Sequence, residues 1–318
     1  MVSFFKRHWF LTGLLGVFII TMVDTSGIIS GMGRWLKNHY GPQVVIISIF
    51  FLSGCLLDAR RIKGGLSEIK GTLLALLLIF VISPLISSLI ALAPFDHGLV
   101  IGLFIVAVMP TTLSSGVVMT SAAGGNMAHA LFTTILANAL AVITIPLTLS
   151  LLIQGMAPAT AVKIDAGRIM FTLGCYVIVP LFAGMLAKQI ASVQVLRFVP
   201  LIQTINQGLV LLIVWMGISQ TRTIILEGGP LWLQTIWLAV LFHALLLASA
   251  FALTRTLGMG KGRRESVIFM GGQKTLPLSI IIQVSLFPQY GQALVFCVIH
   301  HVVHLLMDGY LVGRLKKR

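Results

Sequence analysis

Residues 97–162 form a run of 66 residues without one Asp, Glu, Lys or Arg. Seven more charge-free stretches, 8–23, 38–57, 71–95, 169–187, 198–221, 228–254 and 275–307, account for most of the rest. A helix needs roughly 20 mostly apolar residues to cross the hydrocarbon of a bilayer, and these stretches supply that length repeatedly. An average soluble domain is about 25% charged, whereas this chain is 9% charged and 58% apolar, with a mean hydropathy of +1.03. A water-soluble globular protein is thereby excluded, because so apolar a chain could not cover its own surface. The sequence describes an all-α polytopic membrane protein.

The longest stretch exceeds one span and breaks at Ala122-Ala123-Gly124-Gly125-Asn126, a small-residue turn signal. Ten helices are predicted, over 9–30, 42–59, 70–93, 98–123, 127–154, 167–190, 199–221, 231–256, 265–287 and 290–313. Residues 1–8 lead into the first span without a small-residue cleavage motif, so the first apolar run is kept as a helix. An even number of spans places both termini on one side. With both inside, the cytoplasmic segments carry 16 Lys and Arg: Lys6 and Arg7, Arg60 to Lys70, Lys188 and Arg197, Arg255 to Arg264, and Arg314 to Arg318. The opposite side carries five, namely Arg34, Lys37, Lys163, Arg168 and Arg222. Such a bias orients the protein in a cell inner membrane with cytoplasmic termini. It also accounts for the net charge of +14 through anionic lipid headgroups, without nucleic acid. Cys55, Cys175 and Cys297 each lie within an apolar run, a spacing that supports neither a disulfide framework nor a zinc site.

Ten helices divide into five and five, residues 1–155 and 156–318, and an odd number per half inverts one half relative to the other. Secondary transporters built this way carry an interrupted helix in each half, at the binding site. The fourth helix contains Pro110-Thr111-Thr112-Leu113-Ser114-Ser115-Gly116 at its middle. The ninth, its counterpart, contains Gly271-Gly272-Gln273-Lys274-Thr275-Leu276-Pro277. Proline removes a backbone donor and glycine admits unusual torsions. Unwound backbone in hydrocarbon survives only where it lines a cavity or meets a partner. Two ordinary proline kinks are the bland alternative, and their matching positions argue against it.

At these residues the chain resembles the bile acid:sodium symporter family, and within it the branch of bacterial symporter-like proteins and sodium/bile acid cotransporter 7. The resemblance rests on Pro110 to Thr120 with Ala123 to Asn126, on Phe269 to Thr275, on Arg60-Arg61 after an apolar second helix, and on the His301 region of the tenth. It implies a core domain, about 70–154 and 231–313, that holds the two crossing helices. A panel domain, about 9–59 and 167–221, would move against it. It also implies ion ligands at Ser115, Thr134 and Gln273. Four positions depart from the family pattern: Gly116 stands where Asn is usual, Ala130 for Ser, Phe269 for Glu, and Lys274 for Asn.

The charge pattern agrees with those departures. Hard cations prefer several oxygens and often a carboxylate, yet between Glu265 and Asp308 the sequence offers only a lysine. An intramembrane Lys costs about 2.5–3.5 kcal/mol on insertion scales and marks a functional position. Lys274 could replace sodium as a tethered cation, carry a proton, or attract an anionic solute; a snorkelling side chain is the bland reading. Na+ and H+ are the two candidate coupling ions, and no organic cofactor is expected. On the tenth helix His300, His301 and His304 cluster with Asp308 beyond them. A zinc hydrolase would need an acid between the histidines, where Val302 and Val303 stand. Core histidines with hydrogen-bonded rings are expected instead, with His301, His304 and Asp308 as second-layer groups and Asp308 paired at the interface or with Lys274. Gly27 and Gly31 have the spacing of close helix packing.

The expected protein is a secondary transporter for a small organic, anionic solute. Thr111, Thr112, Ser114, Ser115, Thr134, Gln273, Lys274 and Thr275 would bind solute or ion. Pro110, Gly116, Gly271, Gly272 and Pro277 would shape the breaks. A proton-coupled or uncoupled carrier, a transport-inactive regulator and an intramembrane metal enzyme on the histidines are the competing readings.

Overall fold

The computed structural model describes residues 9–57, 68–112, 115–156, 165–191, 195, 197–227, 229 and 231–316. Leu113 and Ser114, and the basic clusters at Lys6-Arg7, Arg60 to Lys63 and Lys317-Arg318, lie outside them. Every described element is helical. They are α1 (Trp9–Val23), α2 (Ile28–Asn38), α3 (Gly41–Leu56), α4 (Ile69–Ile90), α5 (His97–Ala107), α6 (Ser115–Ala122) and α7 (Met127–Gln154). There follow α8 (Ala166–Ile190), α9 (Val199–Glu227), α10 (Leu231–Thr256), α11 (Arg263–Gly272), α12 (Leu276–Leu286) and α13 (Gly291–Leu315). Among the described residues seven helical segments are long and apolar enough to cross a membrane, with α11 and α12 together forming one of them. The sharply bent pair α1–α2 brings the number to eight if it is one span. The protein is a multi-pass membrane protein.

The first predicted helix, 9–30, is not continuous. The chain turns by 111° between α1 and α2, at Gly27 with φ +68°. Asp24 makes the turn: its Oδ2 accepts from the Ser30 backbone N–H at 2.8 Å and the Ser30 hydroxyl at 2.9 Å, and so caps α2. Arg222 of α9 donates to the carbonyls of Thr21, Met22 and Asp24, which closes off the end of α1. Gly27 and Gly31 are correspondingly turn and surface residues, with open space where a Cβ would stand. Close packing occurs instead at Gly54 of α3 and Gly184 of α8. A Cβ on Gly184 would run into the Phe51 carbonyl, and one on Gly54 into that of Leu181.

α1, α2 and α3 pack with α9, and α3 also packs with α8. A second set forms around α11, which touches α4, α6, α7 and α10, while α13 lies along α5, α10 and α12. The sets meet where α9 touches α12 and α13, where α3 meets α12, and where α7 meets α8. The α11–α12 segment is buried along almost its whole length, so it is a central element shielded from lipid by the others. A helix apolar on every side belongs in such a place, and α5 is also buried from Gly98 to Ala107.

α4 contains the local feature that matters most for the site. Its residues Leu78–Ile82 form one π-helical turn in which the Ser83 amide bonds back to the Leu78 carbonyl, five residues earlier. The next amide in that register would belong to position 84, which is proline and has no N–H. The Ile79 carbonyl is thus left without a backbone donor deep inside the protein.

Candidate crossing site

The predicted fourth helix is α5 and α6, and the predicted ninth is α11 and α12. The described parts of their unwound links, Val108–Thr112 and Gln273–Thr275, touch each other. The Thr275 amide donates to the Pro110 carbonyl at 3.0 Å. Thr112, 161 residues from Gln273 in sequence, donates its hydroxyl to Gln273 Oε1 at 2.7 Å. Four half-helix ends therefore converge: the C-termini of α5 and α11, and the N-termini of α6 and α12. Pro277 lies in the first turn of α12, where its missing N–H costs nothing.

Lys274 is buried, and its ammonium has a complete seat. Nζ donates to the carbonyls of Ala107 at 3.0 Å, Met109 at 3.0 Å and Ile79 at 3.2 Å. Three acceptors match the three donors of an ammonium. Each is available for a local reason. Ile79 lost its donor to the π-turn and Pro84, Ala107 ends α5, and Met109 lies in the break. Ala107 also accepts from the Ser83 hydroxyl at 2.7 Å. The partial negative charge at the end of α5 favours a cation in this place. The expected pairing of Lys274 with Asp308 does not occur, because the side chain turns toward α4 and α5.

Gln273 is held in the opposite sense. Its Oε1 accepts from Thr112 Oγ1 and from Ser115 Oγ at 2.8 Å, which fills both lone pairs. Its Nε2 donates to Asp308 Oδ2 at 2.9 Å and to the Met119 sulfur at 3.0 Å. Asp308 is fully buried and is not an interfacial residue; its Oδ1 meets His243 Nε2 at 3.1 Å. The expected interfacial pairing fails because Arg314 donates to the Tyr310 hydroxyl of its own helix instead. The four histidines His243, His300, His301 and His304 form a chain of T-shaped and tilted ring contacts, with neighbouring centroids 4.7–5.7 Å apart. Hydrogen-bonded rings were expected, but His300 Nε2, His301 Nδ1 and His243 Nδ1 have no hydrogen-bond partner among the described residues. The rings of Phe242 and Phe296 pack against His300.

Of the other predicted residues, Thr111 points its hydroxyl at the Met270 sulfur, 3.9 Å away. Thr134 donates to the Ala130 carbonyl and to the same sulfur at 3.4 Å, so it backs the crossing without reaching Gln273. Ser114 lies outside the described residues. Gly116, Gly271 and Gly272 were expected to form the breaks, yet all three are helical. Their small size serves close approach. A Cβ on Gly116 would stand 2.5 Å from the Met270 methyl and 3.2 Å from Gln273 Oε1, and one on Gly271 would stand 2.6 Å from Leu78. Sequence reasoning missed Asn138, whose amide donates to the carbonyls of Thr111 at 3.3 Å and Thr134 at 2.9 Å. It also gave His243 no part in this chain.

Comparison with known proteins also finds a membrane transporter family. The pattern defining the SBF-like CPA transporter family matches residues 8–317. The chain belongs to that family. Among its relatives, the probable chloroplastic sodium/metabolite cotransporter BASS4 of Arabidopsis thaliana is 31% identical, over 90% of this chain and 70% of that one. An uncharacterized protein of Pseudomonas aeruginosa is 27% identical over 99% of this chain and 94% of its own length. Sodium/bile acid cotransporter 7 of Xenopus tropicalis is 25% identical over 98% and 92%. A member of the SBF-like family is a membrane transporter of a small solute and not an enzyme. Among the described residues no three His, Cys, Asp or Glu side chains are arranged to hold a metal.

Proposed function

We propose that this protein is a secondary active transporter for a small organic anion, in which the Lys274 ammonium serves as a built-in cation in place of a coupling sodium ion. The observation that carries the reading is the three-carbonyl seat at the end of α5. Oxygen ligands of this kind suit a hard cation, and a tethered ammonium keeps the seat filled in every state of the cycle. Gln273, with both lone pairs given to Thr112 and Ser115, serves as a brace between the two breaks. Thr112, Ser115 and Thr275 form the polar face of the crossing. The N-termini of α6 and α12 bring partial positive charge to it, which favours an anionic solute.

The reading gives the two packed sets separate tasks. The set containing α4–α7 and α10–α13 is the core, held as one body by Lys274 and Gln273. The set of α1–α3, α8 and α9 is the panel against which it rocks, in an inner membrane with both termini cytoplasmic. Ten spans in two inverted halves accommodate this division, with the crossing near the midplane. The coupling ion is then a proton, or the carrier is uncoupled.

Thermal unfolding of the purified protein in sodium and in potassium tests the reading. A ligand that binds the folded state raises its stability by mass action. Wild type is expected to unfold at the same temperature in both salts, and Lys274→Ala to gain stability in sodium alone. Stabilisation of the wild type by sodium and not potassium would overturn the tethered-cation reading.

A further inference from the structure

Asp308 poses a problem of charge that the crossing does not solve. It is a fully buried carboxylate on α13, and a buried charge requires a compensating partner. Its Oδ2 receives only the neutral amide of Gln273. Lys274, on the neighbouring break, spends all three donors on carbonyls of α4, α5 and the first break. Among the described residues, α4, α5, α6, α9 and α12 bring no hydrogen-bonding or ion-pairing side chain to Asp308. From α10 comes His243 alone, with Nε2 at 3.1 Å from Oδ1. Among the described residues, His243 is the ionisable side chain within hydrogen-bonding distance of Asp308.

We infer that His243 and Asp308 form a proton-binding site, and that its occupancy is sensed at the crossing through Gln273. In the unloaded state the neutral imidazole donates Nε2–H to Asp308, and Nδ1, which has no partner among the described residues, carries the lone pair. Loading places one proton on that nitrogen and turns the contact into an imidazolium–carboxylate pair. Unloading returns the proton from the same atom. The imidazolium then competes with the Gln273 amide for the carboxylate, and so weakens the hold of Asp308 on the group that joins α6 to α13.

The neighbouring rings supply a route. His300 and His304 stand 5.7 Å from His243, centroid to centroid, and 5.4 Å from each other, and His301 stands 4.7 Å from His304. His301 is the least buried of the four and meets Phe10 of α1. The line of imidazoles thus runs from the crossing to the seam between α13 and α1, where the two packed sets meet. Unpartnered ring nitrogens along it are idle as structural groups and useful as stations for a proton. This inference rests on the transporter reading and names its coupling ion.

The test needs neither substrate nor sodium, so its outcome is separable from that of the salt experiment. Full-length protein labelled with 15N-histidine is reconstituted in lipid bilayers, and its imidazole signals are followed from about pH 5 to about pH 9. One signal absent from His243→Gln is expected to titrate in the wild type. Asp308→Asn is expected to lower its proton affinity by at least about tenfold. The inference falls if no signal assigned to His243 changes protonation across that range in the wild type, where folding of a variant plays no part. It falls equally if Asp308→Asn leaves the titration unmoved.

Discussion

Replacing Lys274 by methionine keeps most of the side-chain volume and removes the ammonium. The cost can be worked from the three carbonyls that lose it. Ala107 keeps the Ser83 hydroxyl at 2.7 Å, so it is not orphaned. The Ile79 carbonyl has no backbone donor, because position 84 is proline, and Met109 lies in the unwound break. At about 1–3 kcal/mol for each buried acceptor left unpaired, two of them cost roughly 2–6 kcal/mol. Reversible unfolding in mixed micelles would measure the difference. A loss below about 1 kcal/mol would refute the account, since a seat worth so little is not holding the ion. Pro84→Ala in the same background supplies an amide to Ile79 and should recover about 1 kcal/mol in a double-mutant cycle. Recovery of nothing would show that the π-turn is unrelated to the lysine.

Two further substitutions probe the frame around the site. Gly184→Val should destabilise the α3–α8 contact by at least about 1–3 kcal/mol, because its side chain would meet the Phe51 carbonyl of the facing helix; the yield of folded protein by size-exclusion chromatography reports it. Asp24→Ala should cost about 0.5–2 kcal/mol, as the loss of a helix cap does, since the Ser30 amide and hydroxyl lose their acceptor. Thermal unfolding measures that loss, and Asp24→Asn should recover part of it.

The helices were legible because apolar length is written directly into composition, and both breaks were legible because Pro110, Pro277 and paired glycines punctuate otherwise unbroken runs. The contact of Thr112 with Gln273 was not legible, because matching breaks place the two residues in corresponding positions without pairing them. The turn after α1 had a signal in Asp24-Thr25-Ser26-Gly27, but an apolar run on both sides masked it. The seat of Lys274 was not legible, because its ligands are backbone carbonyls and every residue has one. Only Pro84, five residues after Ile79, marked which carbonyl would be free. Asp308 was misplaced because its distance from the end of its helix suggested an interface, whereas packing against His243 and Gln273 buries it.

The lysine seat also bears on how the protein is made. A ribosome delivers α4 and α5 to the membrane long before Lys274 exists, for 165 residues separate it from Met109. Throughout that interval the carbonyls of Ile79 and Met109, and that of Pro110, lack the donors that the finished molecule gives them. Exposed polar backbone is poorly tolerated in hydrocarbon. The early half of the chain must then wait in a translocon, beside a chaperone or with water in its cleft, until the late half arrives. Truncation before position 274 should leave a nascent protein that quality control removes, however apolar its helices.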